Sequence, residues 1–299
     1  MSTAEGRETA GTAAGIDGEA WLSACRRMVA GQKVLFEEAV TIDDRHHYEG
    51  LGEGGDRTLR LDRQCEDLVF AELEGLAAEG LAFTVISEER GTVEFNGGAG
   101  LWVVVDPIDG SLNVRRTLPE HSLSIAVATG PDMAAVGFGY VYDFGPDEEF
   151  HALAGQGAFL GERRLELGEP DGSELMELVG VEGAEPTMLE PWLAGLSGKV
   201  YRLRCVGSLA ITVAWLATGR IDGMFSPHTS RSVDVAAAQL IAREAGALVE
   251  LGDDGLDRIG FPLDQRFTVL GAATGEWLEV VRAARPEQAC GAQATSAYR

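Results

Sequence analysis

Two carboxylates three residues apart, Asp106 and Asp109, stand in the string Leu-Trp-Val-Val-Val-Asp-Pro-Ile-Asp-Gly-Ser-Leu-Asn over residues 101–113. Acids delivered by an apolar run are expensive to leave unpaired, so something positive belongs beside them. A hard divalent cation such as Mg²⁺ answers that need, because it takes oxygen ligands and keeps waters and substrate phosphates in its shell. Gly110 and Ser111 follow at once, with backbone N–H groups and a hydroxyl suited to an anion such as phosphate. The same device recurs upstream, where the apolar run 82–86 delivers Ser87, Glu88 and Glu89. Two further acids, Asp62 and Asp234, stand at helix starts, where each also has a simpler reading as a cap or a partner of the helix dipole. Cation-assisted phosphate chemistry would use the acids at the two strand ends, with Asp234 as a further ligand from the second half.

Strands that stop and helices that start must position them. Residues 101–105 form a continuous, β-branched apolar run, which predicts a buried strand. Pro107 cannot continue a central strand and Gly110 permits unusual backbone angles, so the acids are expected in a turn after it. Before this stretch, Trp21, Leu22, Cys25, Met28, Val29 and Leu35 fall at helical spacing over 17–40, with Asp17 as N-cap. His46 and His47 read as surface residues, and 50–55 as a mobile glycine-rich loop carrying Glu53. Asp62 opens a second amphipathic helix, with Cys65, Leu68, Val69, Leu73 and Leu76 on one face and Gly80 as its stop. After the central stretch, 122–128, 135–142, 149–153, 156–160 and 164–167 read as antiparallel strands by alternation. The pattern then changes. Strands are expected at 178–181, 200–206, 221–225, 247–251 and 267–272, and helices at 188–196, 208–218, 234–245 and 276–284. Alternating strands and helices argue an α/β unit. The fold class is therefore α/β, an α+β half over 16–168 and an α/β half over 169–285, with disordered tails at 1–15 and 286–299.

Bulk properties narrow the function. The 299 residues carry 48 acids against 24 bases, a formal net charge of −24, and only Lys33 and Lys199 supply lysine. Such a surface repels nucleic acid and anionic membranes. It also repels a phosphorylated substrate, so bound cations would have to reverse the sign locally. Cys25, Cys65, Cys205 and Cys290 are scattered, which points away from a thiolate zinc site or disulfide scaffold and toward a reducing cytoplasm. No segment reaches the roughly 18–20 unbroken apolar residues of a membrane span, and the first fifteen residues do not read as a signal peptide.

The chain resembles the inositol monophosphatase family, which includes fructose-1,6-bisphosphatases and nucleotide phosphatases. Five landmarks come in that family's order: 56–62, Ser87-Glu88-Glu89, Asp106-Pro-Ile-Asp-Gly-Ser-Leu-Asn113, Val206-Gly-Ser-Leu-Ala210 and Val233-Asp-Val-Ala-Ala237. Val233, Leu209 and Leu112 depart from the usual residues, and none removes a ligand. The resemblance implies a layered αβαβα fold and Mg²⁺-dependent phosphomonoester hydrolysis with two or three ions. Glu88 and Asp106, helped by the Ile108 carbonyl, would hold one ion; Asp106, Asp109 and Asp234 a second; Asp62 with Glu88 a third. Ser111, oriented by Asp62, would position the attacking water, so Asp62, Glu88 and Ser111 carry the catalytic roles. Asp109, Gly110, Ser111, Gly207, Ser208 and Arg231 would meet the substrate. The implied partner is a small phosphorylated sugar or polyol, bound by a homodimer, with inositol 1-phosphate and fructose 1,6-bisphosphate as candidates.

Inositol-selective members carry a glutamate in the turn that here reads Phe225-Ser-Pro-His-Thr-Ser-Arg-Ser-Val233, which has no acid. Arg231 or a protonated His228 would favour a second phosphate there; alternatively Arg231 pairs with an acid of this very acidic chain. A nucleotide 3′-phosphatase would want Tyr201 or Trp215 as an adenine platform, although both fit strand and helix cores. A silent metabolite-binding regulator would have lost ligands, whereas Asp62, Glu88, Asp106, Asp109 and Asp234 are all present.

Overall fold

A computed structural model of the protein describes residues 15–51, 57–98, 100–168, 173 and 175–286. The expected tails, Glu53 and Asp56 lie outside the described residues, apart from the few residues next to the folded body. The first half runs α1 (Gly18–Glu38), α2 (Ile42–Arg45), β1 (Tyr48–Leu51), β2 (Arg57–Leu59), α3 (Arg60–Ala78), β3 (Phe83–Ser87), β4 (Gly91–Phe95), β5 (Leu101–Asp109) and α4 (Ser111–Arg115). Then come β6 (Ser122–Ala128), β7 (Val136–Asp143), β8 (Glu148–Leu153), β9 (Gly157–Leu160) and β10 (Arg163–Leu165). The second half continues with β11 (Met176–Val181), α5 (Pro186–Leu196), β12 (Val200–Arg204), α6 (Leu209–Ala217) and β13 (Gly223–Phe225). It ends with α7 (Ser232–Glu244), β14 (Leu248–Leu251), β15 (Val269–Ala272) and α8 (Gly275–Ala283).

An eight-stranded sheet has the order β10-β9-β8-β7-β6-β5-β3-β4, and a five-stranded one the order β12-β11-β13-β15-β14. The larger sheet is antiparallel except where β3 pairs parallel with β5. On one face, α1 and α3 bury Trp21, Phe70, Phe83, Val103, Val105 and Tyr140 together. On the other, α6 and α7 pack against Val104 and Ala126 and also meet Met224 and Val269 of the smaller sheet. Trp192 of α5 and Val281 of α8 cover that sheet's outer face with Phe225. The layers therefore run αβαβα, as the resemblance implied. Strand β5 is apolar without alternation because Val103 and Val105 serve one core and Val104 the other, each buried side chain contributing about 1.5–3 kcal/mol. The middle helix comes close because Gly139 on β7 has no side chain: a Cβ there would lie 2.6 Å from the Ala237 carbonyl oxygen.

Several local expectations are corrected. β5 does not stop before Pro107; it runs on to Asp109 through a bulge, where three residues from Asp106 to Asp109 span the two-residue step Ser124 to Ser122 on β6. Residues 48–51 and 57–59, flanking and partly overlapping the expected loop, pair as a hairpin. β4 went unread because its alternate residues Thr92 and Glu94 face solvent at the sheet edge. Asp62 and Asp234 occupy the third position of α3 and α7, not the cap. Tyr201 is not a core residue; it is 55% exposed on the edge strand β12. His46 and His47 are exposed, as read.

Candidate active site

Side chains alternate between the two faces of a strand, so residues three apart should point oppositely. The bulge adds one residue and returns Asp106 and Asp109 to the same side. Pro107 tolerates this position because it has no N–H to leave unpaired. Asp106 closes the turn by accepting the Ile108 N–H at 3.0 Å. Because β3 lies parallel to β5 with Ser87 opposite Val105, Glu88 emerges beside Asp106. Asp234 arrives from the start of α7. Carboxylate oxygens of Glu88, Asp106 and Asp234 lie within 4.8 Å of one another, the one such group of potential metal ligands among the described residues.

Asp109 is tied down from the second half: Ser208 Oγ donates to its Oδ2 at 2.6 Å and the Ala210 amide at 2.7 Å. Ser122 Oγ lies 3.2 Å from the same Ser208 hydroxyl. Asp234 divides its two oxygens. Oδ2 accepts the Arg231 backbone N–H at 2.8 Å, while Oδ1 faces the Arg231 guanidinium at 3.3 Å. Asp62 is similar, accepting the Leu59 N–H on Oδ2 at 3.4 Å, but its buried Oδ1 has no hydrogen-bond partner among the described residues. Ser111 Oγ donates to the Ile108 carbonyl at 3.0 Å. Gly110 adopts φ +97°, and a Cβ there would meet the Glu120 carbonyl at 2.9 Å and that of Gly207 at 3.2 Å.

Burial and crowding favour the protonated forms of Asp62, Glu88, Asp106 and Asp109. Burial pushes the Asp62 carboxyl up to about 8, with Glu89 and Glu88 adding to it. Burial raises Glu88 to about 7 against the pull of Arg231, and Asp109 to about 7 against the hydrogen bond from Ser208. Asp106 is held well above the carboxylate range by burial first, then by Glu88, Asp109 and Asp234. Three carboxylates that repel one another yet converge form an all-oxygen donor set suited to a hard divalent cation. The unpartnered Asp62 oxygen fits that chemistry too.

Two expected substrate contacts are already engaged. The Gly207 amide donates to Glu182 Oε2 at 2.9 Å, and the Ser208 hydroxyl to Asp109. Arg231 is drawn into the cluster, its Nη2 2.8 Å from Glu88 Oε1, and His228 lies 3.3 Å from Glu185. Sequence reasoning overlooked Glu182, whose carboxylate also accepts from Val206 N at 3.1 Å and Thr212 Oγ1 at 2.6 Å. It overlooked Gln32 of α1, fully buried, whose amide donates to the Pro107 carbonyl at 3.0 Å and so braces the bulge. Buried Glu66 went unread as well; it accepts from Ser87 Oγ and from the Arg90 amide, clamping the turn that carries Glu88. A signal existed for all three. Glu182 ends an apolar strand, and Gln32 and Glu66 interrupt helical faces otherwise apolar. A cleft of about 1290 Å³ beside β14 and the end of α7 contains none of the candidate residues.

The sequence profile of the inositol monophosphatase family matches residues 22–289. The chain belongs to the inositol monophosphatase family. A fructose-1,6-bisphosphatase/inositol-1-monophosphatase of Thermococcus kodakarensis is 34% identical over 202 residues, 67% of this chain and 72% of that protein. An inositol-1-monophosphatase of Mesorhizobium japonicum is 34% identical over 215 residues, 69% of this chain and 76% of that protein. Among solved structures, a Pyrococcus horikoshii protein described as similar to inositol-1 monophosphatase has a TM-score of 0.71 at 23% identity, covering 89% of this chain and 99% of that one. At that identity the likeness speaks for the fold. Membership of the inositol monophosphatase family makes this chain a phosphatase, a phosphoric monoester hydrolase.

Proposed function

We propose that this inositol monophosphatase family member is a Mg²⁺-dependent phosphomonoesterase acting on a small phosphorylated polyol or sugar, inositol monophosphate or fructose 1,6-bisphosphate. The observation that carries the proposal is the meeting of Glu88, Asp106 and Asp234 within 4.8 Å from three separate elements. Glu88, Asp106, Asp109, Asp234 and the Ile108 carbonyl would hold two ions, and Asp62 with Glu88 a third. When bound, Mg²⁺ neutralises phosphate charge, makes a water more acidic and stabilises the leaving alkoxide. The protein's own residues do the rest. Ser208 and the Ala210 amide fix the Asp109 carboxylate so that it does not reorganise during the reaction. Ser111, 3.0 Å from the Ile108 carbonyl, positions the attacking water, with Asp62 to orient it. Amides of Gly110 and Ser111 receive phosphate oxygens, and transfer goes directly to water with no side chain phosphorylated.

Breadth of substrate rests on the turn 225–233, which has no acid to exclude a second phosphate, and on Arg231, which would welcome one. Relatives bearing both names support the same breadth. The nucleotide reading loses Tyr201 as a platform, since that residue lines a separate cleft with Leu175 and Trp277. A cytoplasmic homodimer belongs to the same proposal. Cys25 and Cys65 are buried free thiols, as a reducing compartment allows, and no described helix is long and apolar enough to cross a membrane. The test is kcat/KM for inositol 1-phosphate and fructose 1,6-bisphosphate in wild type and Arg231→Ala. Both should be hydrolysed, with the bisphosphate suffering more from the substitution. A strong preference for inositol 1-phosphate, unchanged by the substitution, would refute this reading of the turn.

A further inference from the structure

Arg231 stands immediately before α7 with its side chain 15% exposed. Its Nη2 lies 2.8 Å from Glu88 Oε1 and 3.3 Å from Asp234 Oδ1. Its backbone N–H donates to the other Asp234 oxygen at 2.8 Å, so arginine and aspartate are held as one unit at the helix start. Burial works against the guanidinium charge, but Asp234, Glu88 and Asp106 more than offset it and hold the group firmly protonated. One nitrogen therefore touches two of the three carboxylates that converge within 4.8 Å. Glu88 and Asp234 would have to offer oxygens to a bound Mg²⁺, whose charge repels a guanidinium. The two cations would draw on the same pair of acids, and their like charges set them in competition there.

We propose that Arg231 is the internal counter-ion of this cluster and competes with a divalent cation for Glu88 and Asp234, so that cation binding frees the guanidinium for an anionic substrate. This rests on the metal reading of the site and adds an order to it, cation before substrate. The consequence is a trade: the arginine stabilises the metal-free fold and weakens metal binding by the same interaction.

Calorimetric titration of Mg²⁺ into metal-free wild type and Arg231→Met tests it, paired with thermal melting in chelator and in Mg²⁺. The variant should bind Mg²⁺ on the order of tenfold more tightly at one site, as expected for loss of a part-buried ion pair. It should also melt lower than wild type in chelator and gain more on adding Mg²⁺. Equal Mg²⁺ affinity in the two proteins would overturn the competition while leaving the metal site intact. No Mg²⁺ binding by either would instead remove the metal reading itself. Should Arg231→Met not fold in chelator, Arg231→Lys replaces it. Its point charge lacks the planar fork, so it should bind Mg²⁺ several-fold more tightly than wild type, and equal affinity would again overturn the proposal.

Discussion

Replacing Glu182 by glutamine should change stability in a way that reverses with pH. The side chain is 4% exposed and accepts from Val206 N, Gly207 N and Thr212 Oγ1 on its two oxygens. Glutamine keeps one acceptor oxygen but turns an NH₂ toward a donor, which costs about 1–3 kcal/mol. Against this stands the carboxyl itself, which burial pushes up from 4.5 to about 7. The folded state thus keeps a proton that the unfolded chain releases at lower pH. Wild type therefore loses stability as pH rises from about 4.5 to about 7, at ~1.4 kcal/mol per unit and ~3 kcal/mol in all. Glutamine carries no such slope. At pH 5 Glu182→Gln should be less stable than wild type by about 1–3 kcal/mol, and at pH 8 the deficit should vanish or change sign. Urea unfolding of both proteins in chelator at the two pH values measures this, since the other raised acids contribute equally and cancel. Turnover should fall at either pH, because the 206–208 loop that Glu182 holds presents Ser208 to Asp109. A stability difference that is the same at pH 5 and pH 8 would refute the reasoning.

Other outcomes follow from the same site. Asp62 is raised to about 8 and Glu88 and Asp109 to about 7, so melting in chelator should drop as pH rises from 5 to 8.5, while stabilisation by Mg²⁺ should grow over that window because the ion needs ionised carboxylates. Asp109→Asn keeps an oxygen for Ser208 and Ala210 but removes charge; turnover should fall at least about a hundredfold, with no loss of melting temperature in chelator. Gly110→Ala places a Cβ 2.9 Å from the Glu120 carbonyl at φ +97°; unfolding should show a loss of about 1–3 kcal/mol.

The sequence spoke clearly where the cause is local. Val103, Val104 and Val105 read as a buried strand because both faces are covered, and the acids that follow could be seen to converge. The bulge could not be seen. Pro107 breaks a regular ladder, and only the partner strand β6 decides whether the chain ends there or steps over one residue. Asp234 shows the same limit: its bond to the Arg231 amide is written within three residues, while its meeting with Glu88 depends on packing between distant elements. Glu182 and Gln32 looked like minor interruptions of apolar patterns because their partners, Gly207 and Pro107, are remote in the chain. Arg231 offered two readings by composition, and the fold set its guanidinium against Glu88 and Asp234.

Phosphate release from inositol 1-phosphate and from fructose 1,6-bisphosphate, with Mg²⁺ and again in excess chelator, tests the metal cluster most directly. Hydrolysis is expected with Mg²⁺, none in chelator, and full recovery when Mg²⁺ is restored. Hydrolysis that continues undiminished in excess chelator would contradict a site in which Glu88, Asp106, Asp109 and Asp234 work by holding a cation.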